Sequence, residues 1–201
     1  MSTALLIRHA ERPPIPAGDY GHDLALTEAG AAAAVALGES LRSRPGRLFS
    51  SPVPRCMQTA RAIAAGAGRA QAVTPDRWLG DPGPWVVDLD QAGPVFLGRG
   101  VRAVVQAQLA GGLPGMRALD DGCALLLGPL LDDPPQAGHV DVHVTHDAVL
   151  APLIGALFGG DAAASWPGFL EGVAVVVGDA GLRVTWRGRA VRWPPQDSPR
   201  R

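Results

Sequence analysis

Two dipeptides, Arg8-His9 and His146-Asp147, each set a histidine beside a charged residue just past an apolar run, and they lie far apart in the chain. Arg12 follows the first pair in the same loop, and Arg55 stands in the opening turns of a segment with helical spacing. These are the parts that phosphoryl transfer requires: a nucleophile, fixed cations around the non-bridging oxygens, and an acid that protonates the leaving alcohol. Arginine suits the cationic role because its planar fork donates two parallel hydrogen bonds to phosphate and keeps its charge. Arg55 gains further from its position, since a helix start also presents free backbone N–H groups to an anion.

The elements that carry these residues are readable in part. Residues 4–7 are a short apolar run followed by Arg8-His9 and then Pro13-Pro14-Ile15-Pro16, the pattern of a buried strand opening into a loop. Residues 140–145 alternate valine with polar side chains and deliver His146, after which residues 148–158 read as a helix closed by Gly159-Gly160. Thr27 is the expected cap of a helix over 28–44, residues 47–50 resemble a second strand, and a second helical segment starts at Ser51-Pro52 and runs to about residue 65. Between residues 66 and 138 proline, glycine and aspartate punctuate the chain, leaving short helices over 101–110 and 119–131. A hairpin is expected over 173–177 and 182–186.

Strands alternating with helices predict an α/β fold, a three-layer αβα sandwich on a mainly parallel sheet closed by an antiparallel hairpin at one edge. Ligands in such sheets sit beyond the carboxyl ends of the strands, so two distant histidine-bearing strand ends can share one site. Residues 1–193 are expected to form a single domain, with 66–138 containing a substrate cap and 194–201 a flexible tail.

Composition narrows the function classes. Eighteen basic against nineteen acidic side chains give a formal charge of −1, which offers no broad field for nucleic acid or an anionic membrane. The N-terminal apolar run is too short for a signal segment, and no apolar stretch approaches the ~20 residues of a membrane span. A soluble cytoplasmic protein acting on a small-molecule phosphomonoester is the expectation; oligomeric state leaves no trace in the sequence. Cys56 and Cys123 read as free thiols of a reducing compartment. His139, Asp141, His143 and His146 invite a zinc reading, but the strand period sends the first three to one face and His146 to the other, so they read as structural.

The segment Leu5-Leu6-Ile7-Arg8-His9-Ala10-Glu11-Arg12 resembles the Arg-His signature of the histidine phosphatase superfamily, which also contains the phosphoglycerate mutases. Ser50-Ser51-Pro52-Val53-Pro54-Arg55-Cys56-Met57-Gln58-Thr59-Ala60 is similar to its second motif and Val144-Thr145-His146-Asp147 to its third. The resemblance implies a phosphoglycerate mutase-like fold, His9 as nucleophile, and Arg8, Arg55 and His146 around the phosphate. Arg12, Pro14 and the His146-Asp147 pair look like the acid phosphatase branch of that superfamily, with Ala10 in place of a glycine. That likeness makes Asp147 the proton donor and Arg12 a phosphate ligand.

Alternatives stand beside these roles. Trp78-Leu79-Gly80-Asp81 is similar to the mutase-like branch's acid segment, so Asp81 is the alternative acid and Glu11 a third choice. Asp147 could instead cap the helix after it. Thr59 reads as a helix-bonding side chain, His22 as a solvated loop residue, and Trp78 and Trp85 as candidates to line a substrate entrance. The arginines near His9 are expected to lower its pKa and keep it neutral. Arg69, Arg77, Arg99, Arg102 and Arg117 suggest no polyphosphate track. The function expected is a phosphatase that needs no metal or other cofactor and works through phosphohistidine on His9. A phosphomutase or phosphotransferase on the same pocket, or a catalytically weak phospho-ligand-binding module, are the other readings.

Overall fold

The computed structural model describes residues 1–16, 18–19, 21–68 and 72–195. The chain runs through β1 (Ser2–Arg8), α1 (Glu28–Ser40), β2 (Pro45–Ser50), α2 (Pro54–Gly66) and β3 (Val73–Pro75). A one-turn 3-10 helix at Arg77–Leu79 leads to α3 (Leu89–Leu109), α4 (Leu119–Asp132), β4 (Val140–Thr145) and α5 (Asp147–Phe158). Three strands close the fold: β5 (Gly172–Gly178), β6 (Gly181–Trp186) and β7 (Arg189–Trp193).

All seven strands share one sheet in the order β3-β2-β4-β1-β5-β6-β7. β3, β2, β4 and β1 are parallel neighbours, and β1, β5, β6 and β7 are antiparallel ones. The sheet is therefore mixed, parallel where the histidine-bearing strands lie, and helices cover both faces. On one face Ala4, Leu6, Val173 and Val175 pack with Leu127 of α4 and Leu150, Leu153 and Ile154 of α5. On the other, Ile7, Val140, Val142 and Val144 pack with Ala34 of α1 and Ala60 and Ile63 of α2. Alternation along β1 divides its side chains between the two cores, as a strand's period of two demands. α3 packs outside α5, with Val105 against Ala151 and Ala162.

The expected α/β sandwich is present, with boundary differences that have local causes. α1 ends at Ser40 and residues 41–43 form a turn. α2 begins at Pro54, where proline's missing N–H costs nothing, while Ser51-Pro52 make the connection from β2. The antiparallel edge has a third strand, β7, that its charged sequence concealed. α3 is longer than expected and is two helical pieces joined at Gly100, whose φ of 75° no other residue type adopts readily. Residues 66–138 supply the end of α2, β3, the 3-10 turn, α3 and α4; Arg69 and the expected tail residues 196–201 lie outside the described residues.

The histidine cluster on β4 serves packing. His143 stacks on Phe49, ring centroids 4.6 Å apart, and Asp141 accepts hydrogen bonds from the backbone N and the Nε of Arg47, both at 2.7 Å. Cys56 and Cys123 are free and buried, and burial pushes both thiols up to about 12. Among the described residues no helix is long and apolar enough to cross a membrane.

α1 and α2 approach so closely that glycines line their contact. A Cβ at Gly38 would lie 2.1 Å from the Ile63 carbonyl oxygen, and one at Gly66 would lie 2.0 Å from that of Val35. Gly38→Ala and Gly66→Ala are each expected to cost about 1–3 kcal/mol by overpacking, lowering the melting temperature by roughly 2–12 °C. Gly128→Ala, in a helix with open space around it, should not lower it. Thermal melts of the three variants check this.

Burial, aided by the Arg47 charge, lowers the His143 pKa to about 4. The unfolded chain, with an ordinary histidine near 6.5, then binds more protons between pH 4 and 6.5, so this residue's stabilisation is complete above 6.5 and fades as the pH falls. Denaturant titrations of His143→Phe at pH 7 and pH 4.5 should show a smaller acid-induced loss than wild type, by up to about 3 kcal/mol.

Candidate active site

β1 and β4 are adjacent and in register, with Arg8 opposite Thr145, so the residues that follow them emerge side by side. The His9 N–H continues the ladder by donating to the Thr145 carbonyl at 2.8 Å. The His9 and His146 rings meet edge to face with centroids 5.5 Å apart, and both residues are buried. β2 ends one strand further on, and its Ser51 N–H donates to Val144 at 2.9 Å, which brings the start of α2 over the same spot.

Arg55, in the first turn of α2 and only 8% exposed, lies between the histidines. Its Nε donates to His9 Nε2 and its Nη2 to His146 Nδ1, each at 3.2 Å, while Nη1 donates to the Gly21 carbonyl at 2.6 Å. A guanidinium has no acceptor, so both imidazole nitrogens facing it must carry lone pairs. The remaining ring nitrogens therefore hold the protons: His9 Nδ1–H donates to the Ala10 carbonyl at 2.7 Å, and His146 Nε2–H donates to Ser51 Oγ at 3.0 Å.

Burial is the largest cause that lowers His9, to about 3; the Ala10 carbonyl opposes it, and the charges of Arg55, Arg8 and Arg12 lower it further. The arginine effect expected from the sequence is real but second to burial. His146 is held well below the usual histidine range by burial first, then by Arg55, His9, Arg12 and Arg8.

Arg8 is fixed from three sides. Its Nη2 pairs with Asp147 Oδ2 at 2.7 Å, its Nη1 donates to the Pro167 carbonyl at 3.0 Å, and its guanidinium carbon lies 4.1 Å from the Phe169 ring centre. Asp147 is the first residue of α5, and its Oδ1 also accepts from the Ala148 N–H at 2.8 Å. It thus holds an N–H of its own first turn, without being the cap residue, and anchors Arg8. Buried Nε groups of Arg8 and Arg12 have no partner among the described residues.

Further residues build the walls. Arg8, His9, Arg12, His22, Arg55, Asp81, His146 and Asp147 all line one cavity of about 910 Å³. Thr59 donates to the Arg55 carbonyl at 2.8 Å, the helix bond expected of it, and also accepts the Ala10 N–H at 3.0 Å, tying the His9 loop to α2. Glu11 accepts from Thr27 Oγ1 at 2.9 Å at the start of α1, which engages the third-choice acid. Asp81 lies exposed at the rim with φ of 76°, next to Gly80, where a Cβ would sit 2.5 Å from the His146 ring.

Several sequence expectations are corrected here. Trp78 and Trp85 do not line the cavity: Trp85 is in the core, its Nε1 donating to the Val149 carbonyl, and Trp166 lines the entrance instead. Arg77 and Arg117 are bonded to the carbonyls of Asp81 and Pro84, but Arg99 and Arg102 line the cavity. Ser51, whose Oγ accepts the hydrogen bond from His146 Nε2–H, went unassigned although it lies inside the second motif. Phe169 and Trp166 carried no sequence signal.

Known proteins share the fold that carries this arrangement. The chain matches no curated protein significantly. Its fold is shared with mycobacterial glucosyl-3-phosphoglycerate phosphatase complexed with VO3 (TM-score 0.62, 21% identity, 94% of this chain and 100% of that one). It is also shared with Bacillus stearothermophilus YhfR (0.61, 20%, 94% and 97%) and with a phosphoglycerate mutase from Bacillus anthracis (0.55, 15%, 95% and 91%). The family model matching residues 4–81 is that of the histidine phosphatase superfamily, branch 1, while the acid-phosphatase-like features of Arg12 and Asp147 rest on sequence resemblance alone. The first two motifs lie inside that matched segment, and the fold of these solved structures extends over nearly the whole chain.

Proposed function

We propose that this protein is an enzyme of phosphoryl transfer, and specifically a phosphatase that hydrolyses a phosphomonoester through phosphohistidine on His9. The observation that carries the reading is the state of His9: Nδ1–H anchored on the Ala10 carbonyl, Nε2 a lone pair, and the ring kept neutral in a cavity with unpartnered guanidinium N–H groups. An aligned, neutral imidazole is a nucleophile, and prepositioned cations stabilise the charge on the transferred group.

In the first step His9 Nε2 bonds to phosphorus as the ester P–O bond breaks, and an acid gives its proton to the departing alkoxide. Water then attacks phosphorus, the N–P bond breaks, and the carboxylate left by the acid takes the water's proton. Arg8, Arg12, Arg55 and His146 surround the phosphoryl oxygens throughout. This scheme takes every atom it needs from substrate, water and this chain's own residues.

The acid role goes to Asp81 rather than Asp147. Both oxygens of Asp147 already accept a hydrogen bond, one from Arg8 and one from Ala148, which commits this carboxylate to holding Arg8 and the first turn of its own helix. Asp81 lies at the cavity rim, and no described residue bonds its carboxylate. Its backbone occupies a region that costs a non-glycine residue on the order of 1–3 kcal/mol, a form of strain that clusters at working sites.

Leaving-group dependence tests both assignments. His9→Ala should abolish turnover and the acid-labile phosphoprotein trapped from wild type; persistent turnover would remove the phosphohistidine route. Asp81→Asn should lose about 10²-fold or more on an alkyl phosphate but little on 4-nitrophenyl phosphate, whose leaving group needs no proton. Asp147→Asn should lose on both, through loosened Arg8; a loss confined to the alkyl ester would return the acid role to Asp147. Faster transfer to an added alcohol than to water would make the enzyme a phosphotransferase.

A further inference from the structure

The cavity holds more positive charge than one phosphate needs. Five arginines line it, Arg8, Arg12, Arg55, Arg99 and Arg102, against two aspartates, Asp81 and Asp147, in a chain whose formal charge is −1. Burial keeps His9 and His146 neutral, so the excess of arginines over aspartates is three charges, and a phosphate dianion answers two of them. The rest lies at the mouth, where no described acid pairs with Arg99 or Arg102, both exposed on α3 either side of its break at Gly100. Arg102 is near enough for its charge to disfavour that of Arg8.

Arg102 is also poised for recognition. Its guanidinium carbon lies 4.5 Å from the centre of the Trp166 ring, an arrangement like that of Arg8 over Phe169, and both aromatic rings come from the segment joining α5 to β5. Stacking occupies one face of a guanidinium and leaves its in-plane N–H edges for a bidentate anion. The same cavity is also lined by the apolar side chains of Val86, Leu89, Phe96, Val101, Val149 and Trp166. A volume of about 910 Å³ is near the upper end for small-molecule sites, far more than a phosphorylated three-carbon body fills.

We infer that the substrate is a phosphomonoester with a bulky apolar body that carries a second anionic group, carboxylate or phosphate, received by Arg102 and Arg99 at the mouth. The inference rests on the reading that the phosphoryl group lies against His9. It makes Arg102 and Arg99 specificity residues that act on binding of the distal group.

Matched probes test it: 2-naphthyl phosphate and 6-carboxy-2-naphthyl phosphate as substrates, and the corresponding non-hydrolysable naphthylmethylphosphonates as ligands. Wild type should favour the carboxylated ester in kcat/KM, and the carboxylated phosphonate in Kd, by about tenfold, the scale of one charge-assisted contact. The ratio should fall toward one in Arg102→Met and, to a lesser extent, in Arg99→Met, with Arg102→Lys restoring part of it. Equal affinity of wild type for the two phosphonates, or a preference that survives in the Arg99→Met/Arg102→Met double variant, overturns the inference whatever the turnover. Preferential binding of the carboxylated phosphonate with neither ester hydrolysed keeps the anion site and removes the phosphatase reading.

Discussion

The site depends on one side chain donating in two directions. Arg55 gives a hydrogen bond to each of two imidazoles that come from strands far apart in sequence, and because it can only donate, it fixes the proton position on both rings. His9 then holds its proton on the backbone of Ala10, and His146 holds its own on Ser51. His9 takes one of its two constraints from the next residue in the chain, whereas both of those on His146 come from distant segments. Replacing this arginine with lysine would keep the charge and lose the geometry, since a single ammonium cannot span both rings in one plane.

Much of the fold reads as the means of holding that fork. Parallel pairing of β1 with β4 brings His9 and His146 out at one height, and β2 on the far side of β4 launches α2 with Arg55 in its first turn. α2 can approach α1 closely because Gly38 and Gly66 remove the side chains between them, and α1 is tied in turn to the His9 loop through Thr27 and Glu11. Gly30 belongs to the same device, since a Cβ there would lie 2.3 Å from the Glu11 carbonyl oxygen. The loop after β1 is thus clamped between two helices.

What the sequence made legible follows from how local each signal is. Strand β1, strand β4, the Thr27 cap and the helix carrying Arg55 are written in short windows of periodicity and capping chemistry, and all four appear close to their expected places. The convergence of His9, Arg55 and His146 was legible because α/β topology puts such strand ends together. The structure of the middle segment was not: glycine and proline spacing cannot tell a helix interrupted at Gly100 from a loop, and so the positions of Arg99 and Arg102 on the cavity wall stayed hidden. The partners of Asp147 were equally hidden, because an aspartate before a helix reads the same whether it caps, binds an arginine or carries a proton. Trp166 and Phe169 belong to a connection with no periodicity, and their stacking on Arg102 and Arg8 is a purely tertiary fact.

The same fork links binding to reactivity in the proposed reaction. The lone pair of His9 Nε2 faces the Nε–H of Arg55, so the nucleophile and the cation that should bind the substrate engage each other. A phosphoryl oxygen is a stronger acceptor than a neutral imidazole, because a bond between two charged partners exceeds one in which only the donor is charged. Phosphate entry therefore draws the Arg55 N–H toward oxygen and frees the Nε2 lone pair in the same event. Low basicity alone would make His9 a poor nucleophile, but burial lowers its affinity for a proton by stripping water from the ring, and that desolvation also removes the water that would otherwise compete for the lone pair. A histidine kept neutral by neighbouring arginines alone would share its lone pair with solvent; one kept neutral chiefly by burial presents it to the substrate.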